Sequence, residues 1–240
     1  MSNCFDLTGR VAVVIGGTSG IGQAIAEGLA EHGASVVPTG RRAAHWPCDV
    51  TSRESIASYR EEVLSEWKRV DILVYAAGYT FRKPTLAVDE REWSALLDTD
   101  LTGALRCFQA FYSALKASGR GRIVNIASLG SYLAFQEVAA YCAAKTALLS
   151  LTRSLAVEWA RDAISVNAIA PGIFPTELNR HLISGTPRGQ ELLLRTPMAR
   201  FGSPAELVGT AVLLASDAAS FLTGQCIAVD GGYLASGVNR

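Results

Sequence analysis

The chain has 240 residues, 49% hydrophobic and 18% charged, with a formal net charge of zero. That length suits one domain over residues 1–240, and the composition is rich enough in apolar residues to bury a sizeable interior, which excludes a disordered chain. The balanced charge offers no basic stripe for nucleic acid and no polybasic segment for a membrane, leaving small molecules or copies of the chain itself as partners.

In chain order, "RVAVVIGG" (10–17) reads as a first buried strand, followed by a glycine-rich turn and a helix near 20–32. Gly16, Gly20 and Gly22 let the backbone turn tightly and approach a pyrophosphate, and the helix start beyond offers free N–H groups. Ser19 and Ile21 lie in the same turn and join them as candidate cofactor contacts. The second strand, "ASVVPTG" (34–40), contains Pro38, which removes a ladder donor, so it is expected to be short or bent. It ends at Gly40, Arg41 and Arg42, where a carboxylate would suit a ribose 2′-hydroxyl and arginine suits a 2′-phosphate. NADP(H) is therefore preferred, with NAD(H) left open; the competing reading is that both arginines are solvated loop charges. Only six residues separate Arg42 from Asp49, too few for a crossover helix, so the outer edge of the sheet is expected to be short, loosely formed or reached by an abbreviated connection.

Helical segments follow near 52–67, 90–117, 139–161 and 204–215, alternating with strands "DILVYAAG" (71–78), "GRIVNIAS" (121–128), "ISVNAIAPG" (164–172) and "CIAVDGG" (226–232). This rhythm, with strands apolar throughout, predicts a parallel sheet covered by helices on both faces. Ser128 closes one strand at the sheet edge where open α/β folds bind ligands. Beyond it, "AAYCAAKTALLS" (139–150) sets Tyr141 and Lys145 four apart on one helix face. An ammonium beside a phenol favours the phenolate and suits it to acid–base work. The alternative is a pair of incidental residues on a good helix former.

Cys4, Cys48, Cys107, Cys142 and Cys226 are scattered without a C-x-x-C pair, and His32, His45 and His181 are equally dispersed. Reduced thiols, no metal and a cytoplasmic protein are expected. The start "MSNCFDLTGR" lacks a signal-peptide pattern, and no uninterrupted apolar run suggests a membrane span.

The segments "GGTSGIG", "CDV" (48–50), "YAAG" (75–78), "DLTG" (100–103), "IVNIAS", "YCAAK", "VNAIAPG", "PGIFPT" (171–176) and "TGQCIAVDGG" (223–232) together resemble the short-chain dehydrogenase/reductase family over almost the whole chain. The resemblance implies a Rossmann-like, doubly wound, seven-stranded parallel sheet, hydride transfer between a nicotinamide and a hydroxyl or carbonyl, and a homodimer or homotetramer. By the same resemblance, Tyr141 is the general acid/base, Lys145 tunes it and binds the nicotinamide ribose, and Ser128 holds the substrate oxygen. Asp49 and Val50 would contact adenine, and Ala77 and Gly78 would line the cofactor. Pro171, Gly172, Ile173 and Thr176 would hold the carboxamide end. Asn125 and Asn167 read as structural ties. Three positions depart from the family pattern: Ile15 replaces a threonine, Ala76 replaces an asparagine, and Asp100 replaces the asparagine that holds a relay water. Asp100 can still accept from such a water, but its charge would raise the proton affinity of its neighbours.

The loop "YTFRKPT" brings Arg82 and Lys83 to the expected pocket mouth, where positive charge suits a sugar acid; a solvated basic loop is the competing reading. Leu129, Tyr132, Phe135, Ile173 and Phe174 are candidate pocket walls or core. The C-terminal half resembles the gluconate and polyol dehydrogenase branch, and 3-oxoacyl-carrier-protein reductases share many of these features. From another class, a catalytically weak nucleotide-binding sensor would explain Ile15, Ala76 and Asp100.

Overall fold

The computed structural model describes residues 3–177 and 179–237. Strands β1 (Val11–Ile15), β2 (Ser35–Thr39), β3 (Ile72–Tyr75), β4 (Gly121–Ile126), β5 (Ile164–Pro171) and β6 (Cys226–Val229) form one sheet in the order β2-β1-β3-β4-β5-β6. Every neighbouring pair is parallel. The central strands β1, β3, β4 and β5 are buried along their whole length, as their unbroken apolar runs require.

Helices α2 (Arg53–Trp67), α4 (Gly103–Ala117) and α5 (Ala139–Trp159) cover one face, where Tyr59, Phe108, Phe111, Leu148 and Trp159 build the larger core. On the other face, α1 (Gly20–Glu31) and α8 (Val208–Ala215) pack Ile25, Leu29, Val212 and Leu214 against Val14, Val74 and Ile169. The result is the expected doubly wound α/β sheet.

The described sheet has six strands, not seven. After β2 the chain turns back at once: the Gly40 carbonyl accepts from both Ala43 and Cys48 N–H groups, and the Thr39 hydroxyl donates to the Trp46 carbonyl. This abbreviated connection leaves no room for an outer strand, so β2 becomes the edge. Pro38 is tolerated there because an edge strand need not donate outward. From α2, the buried Tyr59 hydroxyl donates to the Val37 carbonyl at 2.9 Å, satisfying an edge acceptor that a further strand would otherwise have met.

Two helical segments differ from the sequence pattern. The stretch 90–117 is α3 (Glu90–Leu97), a π-turn at Asp98–Thr102, then α4; Asp89 and Glu92 form a capping box at its start. Short helices α6 (Arg180–Ile183) and α7 (Pro187–Leu194) fill a region where no element was expected, and the stretch 204–215 opens as a 3₁₀ turn. No helix among the described residues is long and apolar enough to cross a membrane.

At the opposite end of the sheet from the candidate site, buried Arg10 pairs with Asp217 at 2.5 Å. Nearby, buried Asp71 accepts from the Val11 amide and from Arg69 and Arg120. Arg10 ties the start of β1 to the turn at Asp217, and Asp71 links the starts of β1, β3 and β4.

Candidate active site

The glycine turn after β1 is shaped by close approach. Gly16 has φ of +81°, and a Cβ there would lie 2.6 Å from the Ala77 nitrogen; on Gly22 it would lie 2.1 Å from the Gly16 carbonyl oxygen. Only glycine lets α1 come this near to the β1 and β3 ends. Ser19 precedes α1 without a side-chain capping bond, so the first-turn N–H groups face outward uncapped by it. Ile21 is partly buried against the core beneath α1. The methyl of Thr176, in the segment after β5, lies beside Gly20, which brings the two ends of the cleft together. These features fit a dinucleotide: a cradle too tight for side chains, at a helix start whose dipole favours phosphate.

Arg41 and Arg42 are exposed and make no ion pair among the described residues. Gly40 packs against the glycine turn, where a Cβ would lie 2.7 Å from the Thr18 hydroxyl. Asp49 accepts from the Thr51 amide and hydroxyl, which hold its carboxyl below the usual range, with Arg41 contributing. Val50 is buried, and its carbonyl accepts from Arg106. Burial pushes the neighbouring Cys48 thiol up to about 12, with help from Asp49, so it stays an inert thiol. All five cysteines are free.

At the catalytic end, the Ser128 hydroxyl accepts from the Gly130 amide at 3.1 Å, shaping the turn after β4. That turn packs on α5 through Cys142: a Cβ on Gly130 would meet the Cys142 sulfur at 2.9 Å. Tyr141 is half-buried among Tyr79, Phe81, Leu96 and Leu97. The Lys145 ammonium lies 5.6 Å from the Tyr141 ring centroid and donates to the Ile126 carbonyl at 3.1 Å. Lys145 is buried and Tyr141 half-buried, so neither is a solvent-facing residue of α5.

Asp100 sits in the π-turn, fully buried, and its Oδ2 lies 3.3 Å from Lys145 Nζ. Its Oδ1 accepts from the Tyr79 amide at 3.0 Å. Burial raises the Asp100 carboxyl against the opposing pull of Lys145 and the Tyr79 amide. Burial pushes Lys145 down, but Asp100 and Tyr141 outweigh it and leave the ammonium held more tightly than usual. Gly78 backs this pair at the cleft, and Ala77 packs on the core beneath.

Beyond β5, Gly172 approaches the backbone of Asp230 so closely that a Cβ would lie 2.6 Å from its Cα. Pro171 is buried at the strand end, the Ile173 carbonyl accepts from Gly202, and the Thr176 amide donates to Asn179. Asn125 donates to Thr152, and Asn167 ties β5 to Leu222 and Gln225, as their reading as ties between backbone segments expects.

In the loop after β3, the two candidate substrate cations have acidic partners. Arg82 and Lys83 are not free charges: Arg82 pairs with Glu137 at 2.5 Å and Lys83 with Glu92 at 2.6 Å. Glu137 itself has φ of +67° and accepts from the Lys83 amide, fastening the loop after β3 to the entry of α5. Of the candidate walls, Leu129 and Phe174 are buried, Phe135 and Ile173 partly so, and Tyr132 is half-exposed. Phe174 belongs to the core under α1 and α8. The sequence alone did not reveal the Glu137 and Glu92 partners, because nothing local marks which acid a loop cation will meet.

Comparison with known proteins gives a consistent result. The protein family described as Enoyl-(Acyl carrier protein) reductase matches residues 15–234. The NAD-dependent glycerol dehydrogenase of Listeria innocua is 36% identical over 95% of this chain and 95% of its own. The crystal structure of a gluconate 5-dehydrogenase from Burkholderia cenocepacia, in complex with NADP and tartrate, superposes with a TM-score of 0.94 at 37% identity, covering 98% of each chain. One from Beutenbergia cavernae, assigned as an NAD(P)-dependent gluconate 5-dehydrogenase and holding NADP at low occupancy, gives 0.92 at 41% identity, covering 98% of this chain and 100% of that one.

Proposed function

The chain belongs to the short-chain dehydrogenase/reductase family, and we propose that it is an NADP(H)-preferring member interconverting a secondary alcohol and a ketone of a sugar acid or polyol. The observation that carries this reading is the buried Lys145 ammonium 5.6 Å from the Tyr141 ring and bonded to the Ile126 carbonyl, two residues before Ser128. When bound, the nicotinamide accepts or delivers the hydride. Ser128 would hold the substrate oxygen, Tyr141 would take or give its proton, and Lys145 would keep the phenol competent while holding the ribose. Gly16, Ser19, Gly20, Ile21 and Gly22 would cradle the pyrophosphate. Asp49 and Val50 would contact the adenine, Ala77 and Gly78 would line the cofactor, and Pro171, Gly172, Ile173 and Thr176 would sit at the nicotinamide.

Preference for NADP(H) is supported by the exposed Arg41 and Arg42 beside Gly40, which make no ion pair among the described residues and stand where an acid would otherwise meet the ribose. The substrate class is supported by the gluconate and glycerol dehydrogenases among its relatives. Arg82 does not add to it as a free charge, being already paired with Glu137. Self-association into a dimer or tetramer is supported by the exposed Val157 and Phe221, and a cytoplasmic location by the free thiols.

Fluorescence titration with NADPH and NADH tests the cofactor reading. Wild type should bind NADPH more tightly, and Arg41→Ala should lose at least tenfold for NADPH alone. Tyr141→Phe should retain NADPH binding and lose turnover of sugar acids and polyols. Turnover surviving in that variant would refute the acid–base assignment, and cofactor binding without any turnover in wild type would favour the sensor reading.

A further inference from the structure

The buried carboxylate of Asp100 has no counterpart in the acid–base scheme above, yet it occupies the centre of the site. The π-turn at Asp98–Thr102 carries it inward, and Tyr75, at the end of β3, holds that turn through a hydrogen bond to the Thr99 carbonyl. A π-turn places one residue out of ordinary helical register, a device common where a side chain must be aimed at a site. Here the aimed residue reaches Lys145 Nζ at 3.3 Å and the Tyr79 amide at 3.0 Å. No side chain separates the pair from the cleft at Gly78, where a Cβ would fall 2.7 Å from Asp100 Oδ2 and 3.2 Å from Lys145 Nζ. The Lys145 ammonium is thus gripped from two sides, by the Ile126 carbonyl and by a carboxylate.

We propose that Asp100 is a positioning residue of the proton-transfer pair, holding the Lys145 ammonium directly as a buried ion pair and tempering its action on the Tyr141 phenol. This rests on the Tyr141 and Lys145 roles proposed above. A neutral amide at position 100 could orient a water or a lysine, but it could not offset a buried positive charge. With Asp100 ionised, Lys145 and Asp100 together present little net charge to the phenol. With it neutral, the full ammonium charge acts on Tyr141 and favours phenolate at lower pH. The other ionisable groups around Asp100 are Tyr75 on β3, Tyr79 in the following loop, and Asp98 and Arg106, which pair with each other at 2.7 Å. Arg41 and Glu92 act on Tyr79 from farther out. The Asp98–Arg106 pair is internally balanced, so Lys145 is the cation whose effect on Tyr141 Asp100 controls.

The test is the isosteric, uncharged Asp100→Asn variant, read by the pH dependence of kcat/KM for alcohol oxidation with NADP⁺. Removing the carboxylate should move the acid limb down by about one pH unit, the scale of a unit charge acting across a partly buried site. The tyrosinate ultraviolet titration, taken as the difference from Tyr141→Phe, should shift by the same amount and needs no substrate. Asp100→Ser carries the same expectation and serves if the asparagine variant does not fold. A folded variant whose acid limb and tyrosinate midpoint both stay at their wild-type positions overturns the proposal, even if kcat falls, since that would make Asp100 a purely structural residue. Failure of the wild type to turn over any alcohol bears on the proposed function instead, and the ultraviolet titration still decides the role of Asp100.

Discussion

Replacing Gly22 with alanine probes the geometry on which cofactor binding depends. The new Cβ would start 2.1 Å from the Gly16 carbonyl oxygen, 2.8 Å from its carbon and 3.1 Å from the Ala76 Cβ. An unstrained carbon–oxygen contact is about 3.3 Å or longer, so α1 and the glycine turn must separate by roughly 1 Å. Overpacking of this kind costs about 1–3 kcal/mol and here acts on backbone, which cannot rotate aside. The better helix propensity of alanine returns about 1 kcal/mol at most. A contact as short as 2.1 Å with backbone belongs at the upper end of that range, so the net loss is about 2 kcal/mol and should lower the melting temperature by roughly 4–8 °C in a domain of this size. Retreat of the helix start from the pyrophosphate should weaken NADPH binding at least tenfold, about 1.4 kcal/mol. Gly209→Ala is the control: Gly209 lies in α8 with nothing within 4 Å of where a Cβ would stand, and its substitution should raise the melting temperature slightly. Scanning fluorimetry and NADPH fluorescence read both effects. If Gly22→Ala melts like Gly209→Ala and binds NADPH like wild type, the close approach of α1 to the β1 end is not what shapes the cradle.

Gly40→Asp places a carboxylate beside Arg41 and against Thr18, and NADPH affinity should fall at least tenfold while NADH is affected less; unchanged NADPH binding would move the 2′-phosphate away from this corner. Asp71→Asn should cost about 2–3 kcal/mol, because it leaves Arg69, Arg120 and the Val11 amide with a weaker partner. Burial raises the Asp71 carboxyl, but Arg69, the Val11 amide and Arg120 outweigh it and hold it below its ordinary value. Its contribution is therefore fully present above about pH 4 and lost as pH falls through the depressed native value, so acid unfolding of Asp71→Asn should be less steep there than in wild type. Tyr59→Phe removes the bond to the Val37 carbonyl and should lower stability by about 1–2 kcal/mol in urea unfolding; no change would mean that water already serves that edge carbonyl.

What the sequence made legible were features whose physics is local. Gly16, Gly20 and Gly22 follow a strand and open a helix within a few residues, and Tyr141 and Lys145 share a face by helical period alone, so spacing carried the reading into space unchanged. Ser128 likewise needed only a strand to end before it. The six residues between Arg42 and Asp49 showed that the outer edge of the sheet would be abbreviated, but not that it would vanish. That outcome depends on the Tyr59 hydroxyl from α2 and on the Trp46 carbonyl folding back to Thr39, contacts between separate elements. Charge was the least legible property. The role of Arg82 and Lys83 stayed open because Glu137 and Glu92 lie on other elements, and the direct contact of Asp100 with Lys145 was hidden because only the π-turn shows where its carboxylate points. A charged side chain is long and non-directional in sequence, whereas its effect falls off within a few ångströms of a particular partner. The electrostatics of this site therefore follow from how α3, the π-turn and α5 meet, and Asp100 against Lys145 is the point at which that meeting reaches the chemistry.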